Sequence, residues 1–388
     1  MTYREYFSRS LGSAPQRLHF AAHSHHLWPD VSFEAQQRSW LDAATRADDK
    51  WEQIFGTVLP RVQHHIARTL NLSDPTAIAF APNTHEFLLR LLSCFEGTPR
   101  ILSTDGEFHS FTRQSRRWEE AGLVRLERVA VEPFSTFPER FLEAAGRGGH
   151  DLVFFSQVFY NSGYFFDQFA EVVAAVPSPS IYVVIDGYHG FMALPTDLSS
   201  VEDRAFYLAG GYKYAMSGEG VCFMHCPPGY GPRPVNTGWI AQFGELEQDI
   251  GDAPVSYRPD GSRFLGATFD PSGLYRFNAV MDLLGELGVT VADIHEHARS
   301  LQARFLERLD RLGLEALNSS KLVPDRATRE RGNFLTFRLP EAAQIHRRLR
   351  HLQVTTDHRG NSLRFGFGLY QDERDVDDLC RRLAAALR

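Results

Sequence analysis

The chain has 388 residues, 43% of them hydrophobic and 23% charged, with 41 lysines and arginines against 48 aspartates and glutamates. That composition is globular, and the length suits one large domain plus a smaller one; a net charge of −7 without a long basic block argues against a nucleic-acid partner. No apolar run reaches membrane-spanning length and "MTYREYFSRSLG" lacks a signal-peptide core, so a cytoplasmic protein with no membrane partner is expected.

In chain order, "TAIAFAPNTHEFLLRLLSCF" predicts a strand, a turn and a helix, with Phe87, Leu88, Leu91 and Leu92 on one helical face. "LVFFSQVF" (152–159), "IYVVID" (181–186), "RAFYLAG" (204–210) and "GVCFMH" (220–225) predict strands. Their apolar residues run continuously instead of alternating, as in strands buried on both faces. "DQFAEVVAAV" predicts an intervening helix with Asp167 as its N-cap. Together these give an α/β pattern with a mainly parallel sheet. After about Pro271 the pattern changes. A long amphipathic helix (289–312) is followed by a strand "NFLTFRL", a helix "EAAQIHRRLRHL", a strand "SLRFGFGLY" and a last helix "ERDVDDLCRRLAAALR". That alternation predicts a smaller α+β domain. The four cysteines, Cys94, Cys222, Cys226 and Cys380, read as reduced thiols, because Cys222 and Cys226 lack the second pair that a zinc site needs.

One stretch calls for a chemical reading. In "FYLAGGYKYAMSGEG", Lys213 lies between two tyrosines and among glycines, just past an apolar run, where a surface lysine has no place. Upstream, Asp186 ends "IYVVID". In a parallel sheet the strand C-termini line the ligand crevice, so Lys213 and Asp186 should meet there. A lysine that forms a Schiff base and a carboxylate that keeps a pyridine nitrogen protonated suit pyridoxal 5'-phosphate. Thr84 and His85 open a helix whose free N–H groups and dipole favour a phosphate, although Thr84 serves equally well as a simple cap. Phe108 or His109 of "EFHSF" offers a ring to stack on the pyridine. Arg364, on an apolar strand, offers a planar fork for a substrate carboxylate.

These segments carry a family resemblance. "IDGYHG", "GGYKYAMSGEGVCFMH", "TGWIAQF" and "TTDHRGNSLRFGFGLYQDERDV" resemble the corresponding segments of the class V branch of fold-type I pyridoxal-phosphate enzymes, and of kynureninases within it. The resemblance implies a large domain with a mainly parallel seven-stranded sheet sandwiched by helices (46–270) and a smaller α+β C-terminal domain (271–388). An N-terminal segment (1–45) would contribute to the site and the small domain. It implies Lys213 as the Schiff-base lysine, Asp186 as the pyridinium partner and His189 beside the phenolic oxygen. Phe108 would be the stacking ring, with Thr84, His85 and Tyr212 at the phosphate. Tyr212 would double as proton donor, and Arg364 would hold the α-carboxylate of an amino-acid substrate. Trp239 and Thr268 would reach the phosphate of the neighbouring subunit, which makes the protein a homodimer with shared sites. The implied activity is hydrolysis of L-kynurenine or a related aryl-keto amino acid, and an aminotransferase or other lyase fits the same motifs.

The N-terminal loop departs from the family. "AAHSHHLWPD" puts His23 where kynureninases carry asparagine, with His25 and His26 following. His23 and His25 are expected to face substrate, and no metal is expected because further ligands at zinc-like spacing are lacking. Cysteine desulfurases are set aside, since "SSKLVPDRATRERGNF" holds no cysteine and Cys380 falls in a predicted helix. A nicotinamide enzyme is set aside for want of Gly-x-Gly-x-x-Gly.

Overall fold

The computed structural model describes residues 2–244, 254–328 and 331–387. Its first strand, β1 (Leu18–His19), belongs to the C-terminal part of the molecule. The next seven build one sheet: β2 (Ile78–Ala81), β3 (Arg100–Thr104), β4 (Arg125–Val129), β5 (Leu152–Ser156), β6 (Tyr182–Asp186), β7 (Ala205–Gly210) and β8 (Cys222–His225). The spatial order is β2-β8-β7-β6-β5-β3-β4. Strands β7, β6, β5, β3 and β4 pair in parallel, and β8 runs antiparallel to both β7 and β2. Four of the predicted strands thus form the centre of the sheet. β5 and β7 are buried at every residue, as their unbroken apolar runs required. Each fully buried Val, Ile or Phe there contributes about 1.5–3 kcal/mol by leaving water.

The C-terminal part adds β9 (Leu322–Val323), β10 (Phe334–Arg338), β11 (Val354–Thr355), β12 (Asp357–Arg359) and β13 (Ser362–Gly366). A four-stranded antiparallel sheet runs β12-β13-β10-β9, and β1 pairs in parallel with β11. Helices Val291–Arg311, Ala342–His351 and Glu373–Leu387 cover it and share a second apolar core. Leu18 and Phe20 of the N-terminal segment lie inside that core. The long helix 291–311 starts on a capping box in which Thr290 and Asp293 exchange hydrogen bonds.

Three local expectations need correction. β5 stops at Ser156 instead of Phe159, because residues 157–159 turn away to bond with 164–166. The helix after Asp167 spans only Phe169–Ala175, and its cap position is Gln168, with no side-chain cap bond. β13 ends at Gly366, where the chain meets Ala21 in an isolated parallel bridge. The helices Val31–Arg46, Leu59–Leu70 and Ser272–Glu286 were not anticipated. Among the described residues no helix is long and apolar enough to cross a membrane.

Candidate active site

A cavity of about 410 Å³ opens at the C-terminal ends of the parallel strands. Asn83 and Thr84 follow β2, Phe108 follows β3, Ser156 ends β5, Asp186 ends β6, and Lys213 follows β7. The opposite wall comes from the C-terminal sheet and the N-terminal loop, with Arg359, Arg364, His23 and Ser24. The crevice therefore lies where open α/β sheets bind ligands. Its volume is within the usual range for a small-molecule site, roughly 300–1,000 Å³.

The glycines around Lys213 have a steric cause. A Cβ on Gly211 would stand 2.0 Å from the Ser217 hydroxyl and 2.6 Å from Val221, so the chain turns inward only without a side chain there. The turn delivers Lys213 into the interior, where it is 8% exposed. Both ring nitrogens of His189 contact its amine, Nδ1 at 3.2 Å. The Phe108 and Tyr188 rings lie 5.5 and 5.4 Å away. Burial first, then the Arg364 guanidinium, pushes the amine down to about 7, against the pull of Asp186 and Asp357. A lysine near 7 has an unprotonated fraction at neutral pH and can act as nucleophile or base.

Asp186 is also enclosed. Burial raises its carboxyl, opposed by the Tyr188 N–H that donates to Oδ1 at 3.0 Å and by Lys213. Behind it lies a group that the sequence reading missed. Glu107 is 2% exposed. Its Oε1 accepts from the Thr104 hydroxyl (2.6 Å) and the Ser156 N–H (3.2 Å), and its Oε2 bonds the Ser156 hydroxyl (2.5 Å). Burial pushes this carboxyl up to about 8, against the hydrogen bonds from Ser156 and Thr104 and with a further push from Asp186. A folded-state value above the unfolded one, about 4.3, means stability that is complete below the unfolded value and lost as pH rises through 8. Glu107→Gln keeps the shape without the charge. Its Tm advantage over the parent should therefore grow from about pH 5 to about pH 8, and thermal scans across that range check it. An advantage that is flat with pH would mean that Glu107 is ionised in the native state.

At the other end of the cavity, the helix Thr84–Leu92 begins. Its cap is Asn83, whose side chain accepts from the Glu86 N–H at 3.1 Å, which leaves Thr84 in the first helical position with His85 beside it. Both line the cavity, and the buried Nδ1 of His85 has no partner among the described residues. Free N–H groups, a hydroxyl and an unpartnered imidazole suit a phosphate. Tyr212 lines the cavity as well. Phe108 lines it, whereas His109 does not and packs instead on Tyr160, with ring centroids 5.0 Å apart.

Arg364 projects from β13 and is 3% exposed. Its Nη1 donates to the Tyr160 carbonyl and its Nη2 to Asp357, while Nε has no partner among the described residues. Asp357 also binds Arg359 at 3.1 Å. His23 lines the cavity beside this group, but His25 does not; its ring packs edge-on against Tyr212 at 5.3 Å. His26 is a core residue whose Nδ1 bonds the Leu27 carbonyl at 2.7 Å. No group of three metal-ligating side chains occurs among the described residues. Trp239 and Thr268 do not line the cavity; they bond each other, Nε1 to Oγ1, at 3.0 Å. None of the four cysteines lines it either, and burial pushes the Cys380 thiol up to about 11. Tyr160, Tyr188, Ser156 and Arg359 line the cavity without having been singled out. Their signal was position, since each follows a strand end or sits in a segment already quoted.

Solved structures share this architecture. The apo cysteine desulfurase of Thermococcus onnurineus superposes with a TM-score of 0.81 at 17% identity, covering 100% of this chain and 98% of that one. A C-DES variant with glycine covalently linked to its pyridoxal-phosphate cofactor superposes with a TM-score of 0.80 at 18% identity, covering 99% of each chain. At such identities the likeness is one of fold. With a buried lysine, a strand-end aspartate and a helix N-terminus around one cavity, the residues present fit the cofactor. The protein has the fold of these enzymes, and its cavity suits pyridoxal 5'-phosphate.

Residues 294–383 match the kynureninase C-terminal domain. A kynureninase from Deinococcus radiodurans is 27% identical over 361 residues, covering 90% of this chain and 82% of that protein. An isopenicillin N epimerase from Streptomyces clavuligerus is also 27% identical, covering 84% of each. In sequence the chain is thus similar to kynureninases, and in fold to cysteine desulfurases.

Proposed function

We propose that the protein hydrolyses the Cβ–Cγ bond of L-kynurenine or a related aryl-keto amino acid, giving alanine and an aromatic acid such as anthranilate. The observation that carries this reading is the pairing, in one cavity, of the Lys213 amine with Arg364, which lies in the stretch matched to the kynureninase C-terminal domain. When bound, pyridoxal phosphate supplies an aldehyde that captures an amine and a ring that accepts electrons. Lys213 would hold the cofactor through its amine and would serve as the base for the substrate Cα proton. Asp186 would keep the ring nitrogen protonated. Thr84, His85 and Tyr212 would hold the phosphate, and Phe108 would offer its ring to the pyridine. Arg364 fixes the substrate α-carboxylate. Water adds its oxygen to the substrate γ-carbon, the Cβ–Cγ bond breaks, and Tyr212 gives a proton to Cβ. Burial and Glu219 raise the Tyr212 phenol, so it carries that proton at neutral pH.

The test is product identification by mass after incubating the holoenzyme with L-kynurenine, 3-hydroxykynurenine and a panel of amino acids. Alanine with anthranilate or its hydroxylated form is the expected result. A keto acid with an intact carbon skeleton would make the protein an aminotransferase, and recovery of the D-isomer would make it an epimerase.

The same reading includes a homodimer in the cytoplasm. Trp239 and Thr268 lie outside their own chain's cavity, beside the partly buried aromatics Trp51, Phe55, Phe243 and Phe269. In this reading the patch meets the partner, and each pair serves the partner's phosphate. All four cysteines are free, as suits a reducing compartment. Sedimentation at assay concentration should give a dimer, and a fully active monomer would rule out shared sites.

A further inference from the structure

Buried polar atoms without partners are rare and costly in native proteins, so several in one cavity call for an occupant. His23 is 0% exposed, and neither of its ring nitrogens has a hydrogen-bond partner among the described residues. The Nε of Arg364 is in the same condition, and both residues line the same cavity. We propose that His23 is the second arm of the α-carboxylate site, donating from its imidazole to one carboxylate oxygen while the Nε–H of Arg364 takes the other. This rests on the reading of Arg364 given above.

The arginine alone leaves the clamp incomplete. Two of its three nitrogens are already engaged, one by the Tyr160 carbonyl and one by Asp357. A carboxylate has two oxygens and about four acceptor sites. The histidine is built to supply the missing donor. Its ring stacks on Phe334, centroids 4.6 Å apart and planes 18° from parallel, which fixes its orientation. Gly366 backs its Nδ1 edge, since a Cβ there would stand 2.3 Å from Nδ1. The Nε2 edge faces the ion pair that holds the arginine, 3.8 Å from Asp357 Oδ2. Burial, then Arg364, His189 and Lys213, keeps the imidazole well below its usual value. A neutral ring keeps one N–H to give and adds no charge beside Arg364 and Lys213. A locked donor loses little entropy when substrate arrives, so its contribution to affinity is large for one hydrogen bond. The site would then take any L-amino acid by its carboxylate, and His23 would be indifferent to the side chain.

The experiment compares binding of carboxylate-bearing and carboxylate-free amines to the holoenzyme, read from the cofactor absorbance. L-Alanine is paired with ethylamine, and L-phenylalanine with phenethylamine. His23→Phe keeps a ring on Phe334 and removes the N–H. It should weaken both amino acids by about tenfold or more, leave both amines unchanged, and keep the cofactor spectrum of the parent. His23→Gln should recover part of the loss. Weakening of amino acids and amines alike would make His23 structural and overturn the proposal, as would unchanged binding of all four. Weakening of phenylalanine alone would move His23 to side-chain recognition and overturn it too. Arg364→Ala, run in parallel, separates the two readings. If it loses the amino-acid preference and His23→Phe does not, only the role of His23 fails. If Arg364→Ala keeps the preference, or the parent shows none, the carboxylate reading itself fails. None of these outcomes depends on whether kynurenine is the substrate.

Discussion

Lys213→Ala should lower turnover by more than about 10⁴-fold, since in the proposed mechanism it would remove both the covalent anchor and the base. Weak cofactor binding should survive through the helix at Thr84 and through Asp186. The assignment has an unusually clean chemical test. The chain holds only three lysines, Lys50, Lys213 and Lys321, and only Lys213 is buried. Borohydride reduction of the loaded protein should fix the cofactor on the Lys213 peptide alone. Label on Lys50 or Lys321, or no label, would sink the assignment. A second readout comes from stability. The amine is pushed down to about 7 from an ordinary value near 10.4, so the folded state disfavours the protonated form. Stability of the unloaded protein is then complete above the unfolded value and is lost as pH falls toward 7. Lys213→Met should raise Tm most at pH 7 and below and lose that advantage above about pH 10.

Arg364→Ala should reduce kcat/KM by about a hundredfold or more while cofactor occupancy stays near that of the parent. Two decades correspond to about 2.7 kcal/mol. That is less than the roughly 3–5 kcal/mol cost of breaking a buried ion pair, so the expectation is conservative. Arg364→Lys should recover only part of the loss, because an ammonium cannot bond Asp357, the Tyr160 carbonyl and a carboxylate in one plane. Asp357 keeps Arg359 as a partner in either variant, which limits the structural damage. Occupancy and turnover measured on one preparation decide the matter. Loss of cofactor would move Arg364 to the phosphate site, and unchanged turnover would put the substrate carboxylate elsewhere.

The parallel strands β5, β6 and β7 were legible because each run is mainly apolar, and each ends at a polar or glycine residue, Ser156, Asp186 or Gly210, beside the crevice. Asp186 and Lys213 were legible for the same reason, as polar groups at strand ends where ligands bind. Arg364 stood out as a cation on an apolar strand. The length of β5 was not legible, because Val158 and Phe159 are as apolar as the strand itself and leave it only to pair with 164–166. Glu107 was not legible either. An acid beside Phe108 looks like any loop carboxylate until Thr104 and Ser156 are seen to close over it. The confinement of His23 depends on Phe334 and Gly366, each more than 300 positions away, and no local pattern reports that.

The pairing of β1 with β11 has a consequence for how the molecule is made. Leu18 is synthesised more than 300 residues before its partner Val354. At about 5–20 residues per second, the nascent chain carries an unpaired β1 for on the order of 20 to 70 seconds. Leu18 and Phe20 have no finished core to enter during that interval. The loop holding His23 follows directly, so the wall of the cavity that faces Lys213 closes only after residue 354 has been made. A ribosome-bound chain halted before residue 354 would hold the lysine end of the cavity while lacking its far wall.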